Sequence, residues 1–230
     1  MVYLTGDTHG NLDEKRLNFF NTLTKDDVVI ILGDFGYFFR ADLIDEYPNF
    51  PFTTISILGN HENYSLFELF EDDEIFGARC KKMKDNVYII KNGEILNIDN
   101  KKFLCYGGAL SIDKSMRIPY VSWWPEEVPS RADYMNAINN LEIIDWKIDY
   151  FLGHTCSEKI CEDFFHYTYK INDPTEKQIE QLEYELKFHN CNYKYFFGHH
   201  HKLRITEKYV ALYEDVWNVN EDRLISLVNY

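Results

Sequence analysis

The sequence predicts an α/β fold built on two sheets, and two patterns support this expectation. Through the first half of the chain, short apolar runs rich in β-branched residues alternate with helix-like stretches, which is the pattern of βαβ units around a sheet covered on both faces. After residue 86 the apolar runs follow one another closely, and Asn92-Gly93 has the composition of a hairpin turn, so a second, more antiparallel sheet is expected. No stretch resembles an interdomain linker, which predicts a single domain over residues 1–230.

The first half of the chain supplies three strand candidates, each followed by a helix-like segment. The strand candidates are the apolar runs at residues 2–6, 28–33 and 53–59. The helix-like segments lie at residues 14–23, 41–47 and 64–70. Four consecutive acidic residues at 71–74 then predict the solvent-exposed end of the third helix.

The second half contains more strands than helices. Strands are predicted at residues 87–90, 94–98, 101–110, 150–153 and 194–198, with further strand-like runs toward the C-terminus. A stretch rich in Trp and Pro breaks this pattern before Ser130, which is a good N-cap for a helix reaching about Asp145. A second helix is expected from about Pro174 to His189.

Charge and cysteine usage exclude some classes of function. The formal net charge of -14 leaves no basic face for sequence-independent contact with long nucleic acid. The five cysteines are odd in number and form no CxxC pair, which favours buried free thiols in a reducing compartment. No secretory leader is visible and no apolar run approaches the ~20 residues that span a bilayer, so we expect a cytoplasmic protein without a membrane partner.

Five strand candidates end in a glycine that is followed at once by a potential metal ligand. These junctions are Gly6-Asp7, Gly33-Asp34, Gly59-Asn60, Gly153-His154 and Gly198-His199. In an α/β sheet, strands that end together deliver their first loop residues to one crevice, so the five ligands are expected to converge. Glycine suits these positions because it permits tight turns and close approach of the backbone.

The types of ligand narrow the metal chemistry. Adding the nearby imidazoles gives two carboxylates, one amide and four imidazoles, namely Asp7, Asp34, Asn60, His9, His154, His199 and His201. This oxygen and nitrogen set contains no thiolate and suits Mn, Fe or Zn. Seven side chains are too many for one ion, but they suit two ions about 3.5–4 Å apart, bridged by a carboxylate and a hydroxide.

Together the five motifs resemble those of the calcineurin-like metallophosphoesterase superfamily. In chain order they are GDTHG, GDFG, GNHE, GHT and GHHH, running from Gly6 to His201. The resemblance implies a four-layer α/β/β/α sandwich of two mixed sheets flanked by helices. It also implies a dinuclear metal-dependent phosphoesterase in which a metal-bridging hydroxide attacks phosphorus.

The resemblance also implies a role for each matching residue. The implied ligands are Asp7, His9 and His201 for the first ion, and Asn60, His154 and His199 for the second. Asp34 would bridge both ions, and Asn60 would also touch the substrate. His61 would stabilise the transition state and protonate the leaving oxygen. Manganese is the first expectation for both ions, with iron or zinc as alternatives.

Two departures from the family pattern bear on the substrate. The best-known serine/threonine phosphatases of this superfamily continue the second motif as Asp-x-x-Asp-Arg-Gly and place an arginine before GNHE. Here the equivalents are GDFGYFF and Leu58, so the acidic partner of His61 and two phosphate-binding arginines are missing. Neighbouring Glu62 is one alternative partner for His61.

The segment at residues 107–117 resembles one found in small bacterial and phage-encoded members of the superfamily. Its Lys114 and Arg117 either replace the missing phosphate donors or lie in a solvated loop. Trp123 and Trp124 either pack in the core or an interface, or offer a stacking face for a base. His200, between two implied ligands, is expected to have a structural or solvent-facing role.

The expected substrate is a phosphomonoester or phosphodiester of a small molecule or nucleotide. Serine/threonine phosphatase-like activity is one alternative. A non-catalytic metal-binding scaffold of the same fold is another, although such a protein would be expected to lose ligands or His61, and all of them are present here. The oligomeric state is left open by the sequence.

Overall fold

The computed structural model describes residues 1–166 and 172–230. The described residues form fourteen strands, which are β1 (Val2–Thr5), β2 (Val28–Ile31), β3 (Thr53–Ser56), β4 (Glu71–Ile75), β5 (Ala78–Lys84), β6 (Val87–Ile90), β7 (Ile95–Ile98), β8 (Lys101–Tyr106), β9 (Tyr150–Gly153), β10 (Lys194–Phe197), β11 (Arg204–Ile205), β12 (Tyr209–Ala211), β13 (Val216–Asn218) and β14 (Arg223–Ile225). They also form five α-helices, which are α1 (Glu14–Phe20), α2 (Tyr64–Leu69), α3 (Arg131–Ile143), α4 (Glu158–Phe165) and α5 (Pro174–Phe188). Short 3₁₀ helices lie at Ala41–Glu46, Lys114–Met116, Pro125–Glu127 and Leu227–Asn229.

The strands form two mixed sheets. The larger sheet has the order β14-β13-β1-β2-β3-β6-β5-β4, with parallel pairing from β1 through β2 and β3 to β6. The smaller sheet has the order β11-β12-β10-β9-β8-β7, with parallel pairing from β12 through β10 and β9 to β8. Antiparallel strands occupy the edges of both sheets, so each sheet has a parallel centre.

Three apolar layers hold the sheets and helices together. Alternation along each strand assigns its side chains to layers, as in β10, where Phe196 belongs to the layer shared by the two sheets and Phe197 to the opposite layer. In β1, Leu4 faces the shared layer and Tyr3 packs with Phe19 of α1 on the outer side. The outer layer of the smaller sheet contains residues of α3, α4 and α5. The predicted four-layer sandwich is therefore confirmed.

The predicted hairpin at Asn92-Gly93 is wrong. Strand β6 belongs to the larger sheet and β7 to the smaller one, so this dipeptide carries the chain from one sheet to the other. Gly93 has a φ of +81°, and a β-carbon there would overlap the backbone of α3 at Ala137. The hairpin turn of this region is Asp99-Asn100, with φ values of 54° and 61°, and it joins β7 to β8.

The acidic run at residues 71–74 is an edge strand, and the predicted helix end is wrong. Helix α2 stops at Leu69, and β4 begins at Glu71 and pairs with β5. The Asp72 carboxylate lies 2.5 Å from Lys91 Nζ and 3.3 Å from Lys81 Nζ, so lysines of the neighbouring strands compensate the charge. A charged edge of this kind discourages pairing with other chains.

The helices of the second half agree with the sequence predictions near their first residues. Ser130 caps α3 in a reciprocal capping box with Asp133, and α3 ends at Ile143, before the expected Asp145. Helix α5 begins at Pro174 as expected, whereas α4 was not predicted.

All five cysteines are free thiols, and four of them are buried. Within residues 1–166 and 172–230, we find no helix with the length and apolar character needed to cross a bilayer.

Candidate metal centre

The candidate site lies where parallel strands of the two sheets end. Strands β1, β2 and β3 are neighbours in the larger sheet, and β9 and β10 are neighbours in the smaller one. The residues that follow these five strands include all five predicted junctions. Side chains from these loops form two groups, and the ligand atoms of each group lie within 4.8 Å of one another. One group consists of Asp7, His9 and His201, and the other of Asp34, His154 and His199.

The loops that carry these groups have an unusual backbone. Four of the predicted ligands have positive φ angles although none is glycine: His9 at 48°, Asp34 at 48°, His199 at 63° and His201 at 50°. Left-handed conformations are costly for such residues and cluster at functional sites. The surrounding hydrogen bonds maintain them, since the carbonyl of Asp34 accepts the N–H groups of both Thr8 and His9.

The junction glycines make room for the side chains of neighbouring motifs. A β-carbon at Gly198 would overlap the carboxylate of Asp7, and one at Gly59 would overlap Asp34. These two motifs therefore leave space for the ligand of another motif. The need for this space explains Gly59 and Gly198 better than a tight turn of the backbone does, because neither glycine has a positive φ.

The first group is built around the carboxylate of Asp7. Its Oδ2 lies 3.0 Å from His201 Nε2 and 3.7 Å from His9 Nε2, and these two imidazole nitrogens are 3.0 Å apart. Oδ1 accepts the backbone N–H of His199 at 2.9 Å, whereas the buried Oδ2 has no hydrogen-bond partner. A buried carboxylate oxygen with two imidazoles beside it is a good fit for a cation.

The second group is built around His154. The Nδ1 of this imidazole lies 2.7 Å from the carbonyl oxygen of Leu32, to which it donates, and this bond turns Nε2 toward the other side chains of the group. Nε2 lies 3.0 Å from Asn60 Oδ1 and 3.3 Å from Asp34 Oδ1. Asn60 thus joins this group, as the resemblance implies.

Asp34 lies between the two groups. Its Oδ1 faces His154, and its Oδ2 lies 3.9 Å from His9 Nε2 in the first group. The backbone N–H of His61 also donates to Oδ1 at 2.7 Å. The two oxygens of one carboxylate therefore face the two candidate ligand groups, which is the placement expected of a bridging ligand.

The electrostatics of Asp34 and His154 favour a charged carboxylate. Burial acts to raise the pKa of Asp34, but the imidazoles of His154, His61 and His9 hold it well below its usual range. Burial likewise acts to lower the pKa of His154, but the Asp34 carboxylate raises it to about 9. A buried carboxylate that stays ionised attracts cations to this part of the molecule.

A family model described as calcineurin-like phosphoesterase matches residues 1–203 of the 230. The chain belongs to the calcineurin-like phosphoesterase family. The matched segment contains all five motifs, including His201. A comparison with curated proteins returns no significant match.

Membership of the calcineurin-like phosphoesterase family makes the protein a metal-dependent phosphoesterase in general, and the donor set agrees with this class. Carboxylate, amide and imidazole donors suit divalent ions of the Mn, Fe and Zn type. The unpartnered Oδ2 of Asp7 and the fixed ring orientation of His154 are features of this chain that fit bound cations independently of the family match.

In this calcineurin-like phosphoesterase, His61 lies beside Arg117. Arg117 Nη1 is 3.1 Å from His61 Nδ1, Nη2 is 3.4 Å from Nε2, and Nη2 is 2.8 Å from Asp113 Oδ2. Burial and the Arg117 guanidinium lower the pKa of His61 despite the attraction of Asp34. A neutral imidazole still has one N–H to donate, and an anionic phosphate beside it would raise the pKa again.

The hypothesis that Glu62 is the acidic partner of His61 is wrong. The buried Glu62 carboxylate accepts the backbone N–H groups of Phe35 at 2.8 Å and Gly36 at 3.3 Å. These residues directly follow Asp34, so Glu62 holds the loop that presents the Asp34 carboxylate. Its pKa is raised well above the usual value, first by burial and then by Asp34.

Two residues that support Asn60 were not predicted. The amide of Asn60 donates to Ser111 Oγ at 3.0 Å, which leaves its Oδ1 facing His154. The Ser111 hydroxyl and backbone N–H both donate to the buried carboxylate of Glu127, at 2.6 Å and 2.7 Å. The proximity of residues 60, 111 and 127 depends on tertiary packing, and no local pattern indicates it.

Arg16 is a third residue that the sequence prediction missed. Its side chain is buried, and Nη1 donates to the carbonyl oxygens of Asp7 at 3.1 Å and Tyr213 at 3.2 Å. It also pairs with Asp13, the N-cap of α1. An Asp-x-x-Arg pattern at a helix start suggests a surface ion pair, so only the fold reveals that this arginine holds the Asp7 loop.

A cavity of 430 Å³ opens onto the metal centre of this phosphoesterase. Its lining includes Asp34, Asn60, His61, Arg117 and the imidazoles of residues 199–201. Lys114 is absent from the lining, and its exposed ammonium lies 5.8 Å from the ring centroid of Trp123. Trp124 is buried, and its indole N–H donates to Ser65 Oγ at 2.8 Å, so it is a core residue. Of the two predicted cations, Arg117 alone lines this cavity.

Proposed function

We propose that the protein hydrolyses a phosphate ester of a small molecule or nucleotide with the help of two divalent metal ions. The observation that carries this proposal is the position of Asp34, whose two carboxylate oxygens face two separate ligand groups. The first ion would be held by Asp7, His9 and His201, and the second by Asn60, His154 and His199. Asp34 would contact both.

The two ions would supply positive charge, of which the side chains of this acidic protein offer little. When bound, two divalent ions provide positive charge for the phosphoryl group and lower the pKa of the attacking water. Manganese is our first choice because the donors are oxygen and nitrogen atoms without thiolate, and iron or zinc are the alternatives.

The side chains at the cavity have complementary roles. His61 would donate its N–H to the leaving oxygen, and Arg117 would bind a phosphate oxygen with a guanidinium already held in place by Asp113. Positioning of this kind lowers the barrier because the donors need no reorganisation during the reaction. Asn60 lines the same cavity and would also contact the substrate.

The size and charge of the protein favour a small substrate. A cavity of 430 Å³ has the size of a ligand pocket for a small organic molecule. The net charge of -14 opposes extended contact with a long polyanion. These features support a nucleotide or other small phosphorylated molecule.

Hydrolysis of model esters tests the proposal. We expect manganese-dependent release of p-nitrophenol from p-nitrophenyl phosphate, from bis-p-nitrophenyl phosphate or from both. The ratio of the two rates distinguishes monoester from diester preference, and a panel of nucleotides, cyclic nucleotides and phosphopeptides then identifies the substrate class. Manganese binding without any hydrolysis would instead favour the scaffold alternative.

A further inference from the structure

A second cluster of metal-ligand side chains lies next to the site described above, and its His200 also lines the cavity there. It consists of Cys156 in the loop after β9, Cys161 in α4, and His200 in the loop after β10. Their ligand atoms lie within 4.8 Å of one another, and both cysteines are buried. None of the three residues belongs to the ligand set implied by the family resemblance.

The distances within this cluster match those of a tetrahedral zinc site. With Zn–S of ~2.3 Å and Zn–N of ~2.05 Å, tetrahedral geometry places two sulfurs ~3.8 Å apart and a sulfur and a nitrogen ~3.6 Å apart. The two Sγ atoms lie 3.4 Å apart, and His200 Nε2 lies 3.6 Å from each of them. All three separations fall within a few tenths of an ångström of the zinc values.

Glu176 lies beside this cluster. Its Oε1 is 3.5 Å from Cys161 Sγ, but the atoms that lie within 4.8 Å of one another are those of Cys156, Cys161 and His200. The ring of Phe165 packs 4.3 Å from that of His200. Two buried sulfurs and one imidazole form a donor set typical of zinc, with a fourth position left for water or for a moved Glu176 side chain.

Two other thiols of this chain, the buried Cys105 and the half-buried Cys191, have different surroundings. Cys105 Sγ contacts the backbone carbonyl of Phe103 at 3.8 Å, and Cys191 Sγ likewise contacts the carbonyl of Ile148 at 3.6 Å. Simple hydrogen bonding explains those contacts. It does not explain why two thiols from the segment at 156–161 and an imidazole from the loop after β10 converge on one point.

We propose that Cys156, Cys161 and His200 bind a zinc ion separate from the proposed dinuclear centre. Binding would convert both thiols to thiolates and release two protons to solvent for each zinc ion bound. Because thiolates are soft ligands, zinc would occupy this cluster in preference to manganese, which suits the oxygen and nitrogen donors of the other site.

The position of the cluster gives the zinc a structural role. His200 lies between His199 and His201, and Cys156 is two residues after His154. A zinc ion would therefore tie α4 to the two loops that present three of the predicted imidazole ligands. It would hold these loops in place without touching the substrate.

Cobalt substitution tests the site directly. Cobalt(II) bound to thiolate gives a near-ultraviolet charge-transfer band, which a site of carboxylates and imidazoles does not give. We expect the reduced wild-type protein to develop this band at one cobalt per chain, and to lose it when zinc is added. The isosteric Cys161→Ser variant should lose the band and bind one zinc ion fewer per chain. The Cys191→Ser variant should keep the band and bind as many zinc ions as the wild type.

Several controls make the result decisive. An unchanged circular-dichroism spectrum of Cys161→Ser shows that the variant folds, and Cys156→Ser provides a second test. The Asp34→Asn variant should keep the thiolate band, so failure of the dinuclear proposal is distinguishable from failure of this one. Absence of the band in reduced wild-type protein, or equal bands in wild type and Cys161→Ser, would overturn the proposal. A Cys156–Cys161 disulfide that persists under reducing conditions would overturn it too.

Discussion

Asp7 Oδ1 accepts a hydrogen bond from the backbone N–H of His199 at 2.9 Å, although 192 positions separate the two residues. This bond joins the loop after β1 of the larger sheet to the loop after β10 of the smaller sheet. Because Oδ1 is engaged in this way, the buried Oδ2 faces His9 and His201 without a hydrogen-bond partner of its own. One carboxylate thus orders the loops and offers a metal ligand.

The Asp7→Asn variant tests whether Asp7 is a metal ligand. The amide keeps an oxygen for the His199 N–H but loses the negative charge, so we expect manganese affinity at the first group to fall by ~10-fold or more with little loss of folding. Isothermal titration with manganese measures this. Asp45→Asn, at an exposed carboxylate, is the matched control, and equal affinity of Asp7→Asn and wild type would exclude Asp7 as a ligand.

His61→Ala should separate metal binding from turnover. His61 lines the cavity through its side chain, while its backbone N–H, which the variant keeps, bonds Asp34. We expect both manganese ions to remain and kcat to fall by ~10²–10⁴, the range typical of general acid–base groups. His189→Ala, at an exposed helix terminus, is the control. Wild-type turnover in His61→Ala would remove the proposed role.

Arg117 and Lys114 should behave differently when replaced. Arg117 lines the cavity and its guanidinium is fixed by Asp113, so Arg117→Lys should raise KM by ~10-fold while metal binding is unchanged, because lysine cannot make the same paired contacts. Lys114→Ala should leave KM unaltered, since its exposed ammonium lies outside the cavity. Steady-state kinetics on both variants checks this, and the reverse ranking would show that the phosphate binds elsewhere.

Glu127 should act on the metal centre through Ser111 and Asn60. Ser111→Ala removes the hydroxyl that accepts from the Asn60 amide, and Glu127→Gln weakens the support of that hydroxyl. Residues that orient metal ligands typically contribute 10–100-fold in affinity, so we expect losses of about that size for the second ion. Manganese titration of both variants measures the effect. Ser122→Ala, whose hydroxyl accepts a backbone N–H elsewhere, should retain wild-type affinity.

The convergence of the five junction residues was predictable because each lies shortly after a strand. Parallel strands of one sheet end at the same edge, so the glycine junctions at Asp7, Asp34 and Asn60 indicate proximity from the sequence alone. The same reasoning predicted that His154 and His199 converge with them, although their strands belong to a second sheet. The placement of Asp34 between two groups could be seen only in three dimensions.

Other features depend on tertiary contacts, which no local sequence pattern indicates. Asn92-Gly93 has the composition of a hairpin turn, yet the glycine is needed because α3 passes against it. The acidic residues 71–74 form an edge strand through pairing with β5, and Lys81 and Lys91 compensate the charge of Asp72. Glu62 likewise bonds a loop 26 and 27 positions earlier in the chain, which adjacency to His61 could not reveal.

The central claim is that two ligand groups joined by Asp34 hold the ions on which hydrolysis depends. The most direct measurement is the number of manganese ions bound per chain after equilibrium dialysis, determined together with p-nitrophenyl ester hydrolysis for wild type and Asp34→Asn. We predict two manganese ions per chain with activity in the wild type, and loss of both manganese binding and activity in the variant. Full activity in protein stripped of metal, or manganese binding unchanged by Asp34→Asn, would contradict the claim.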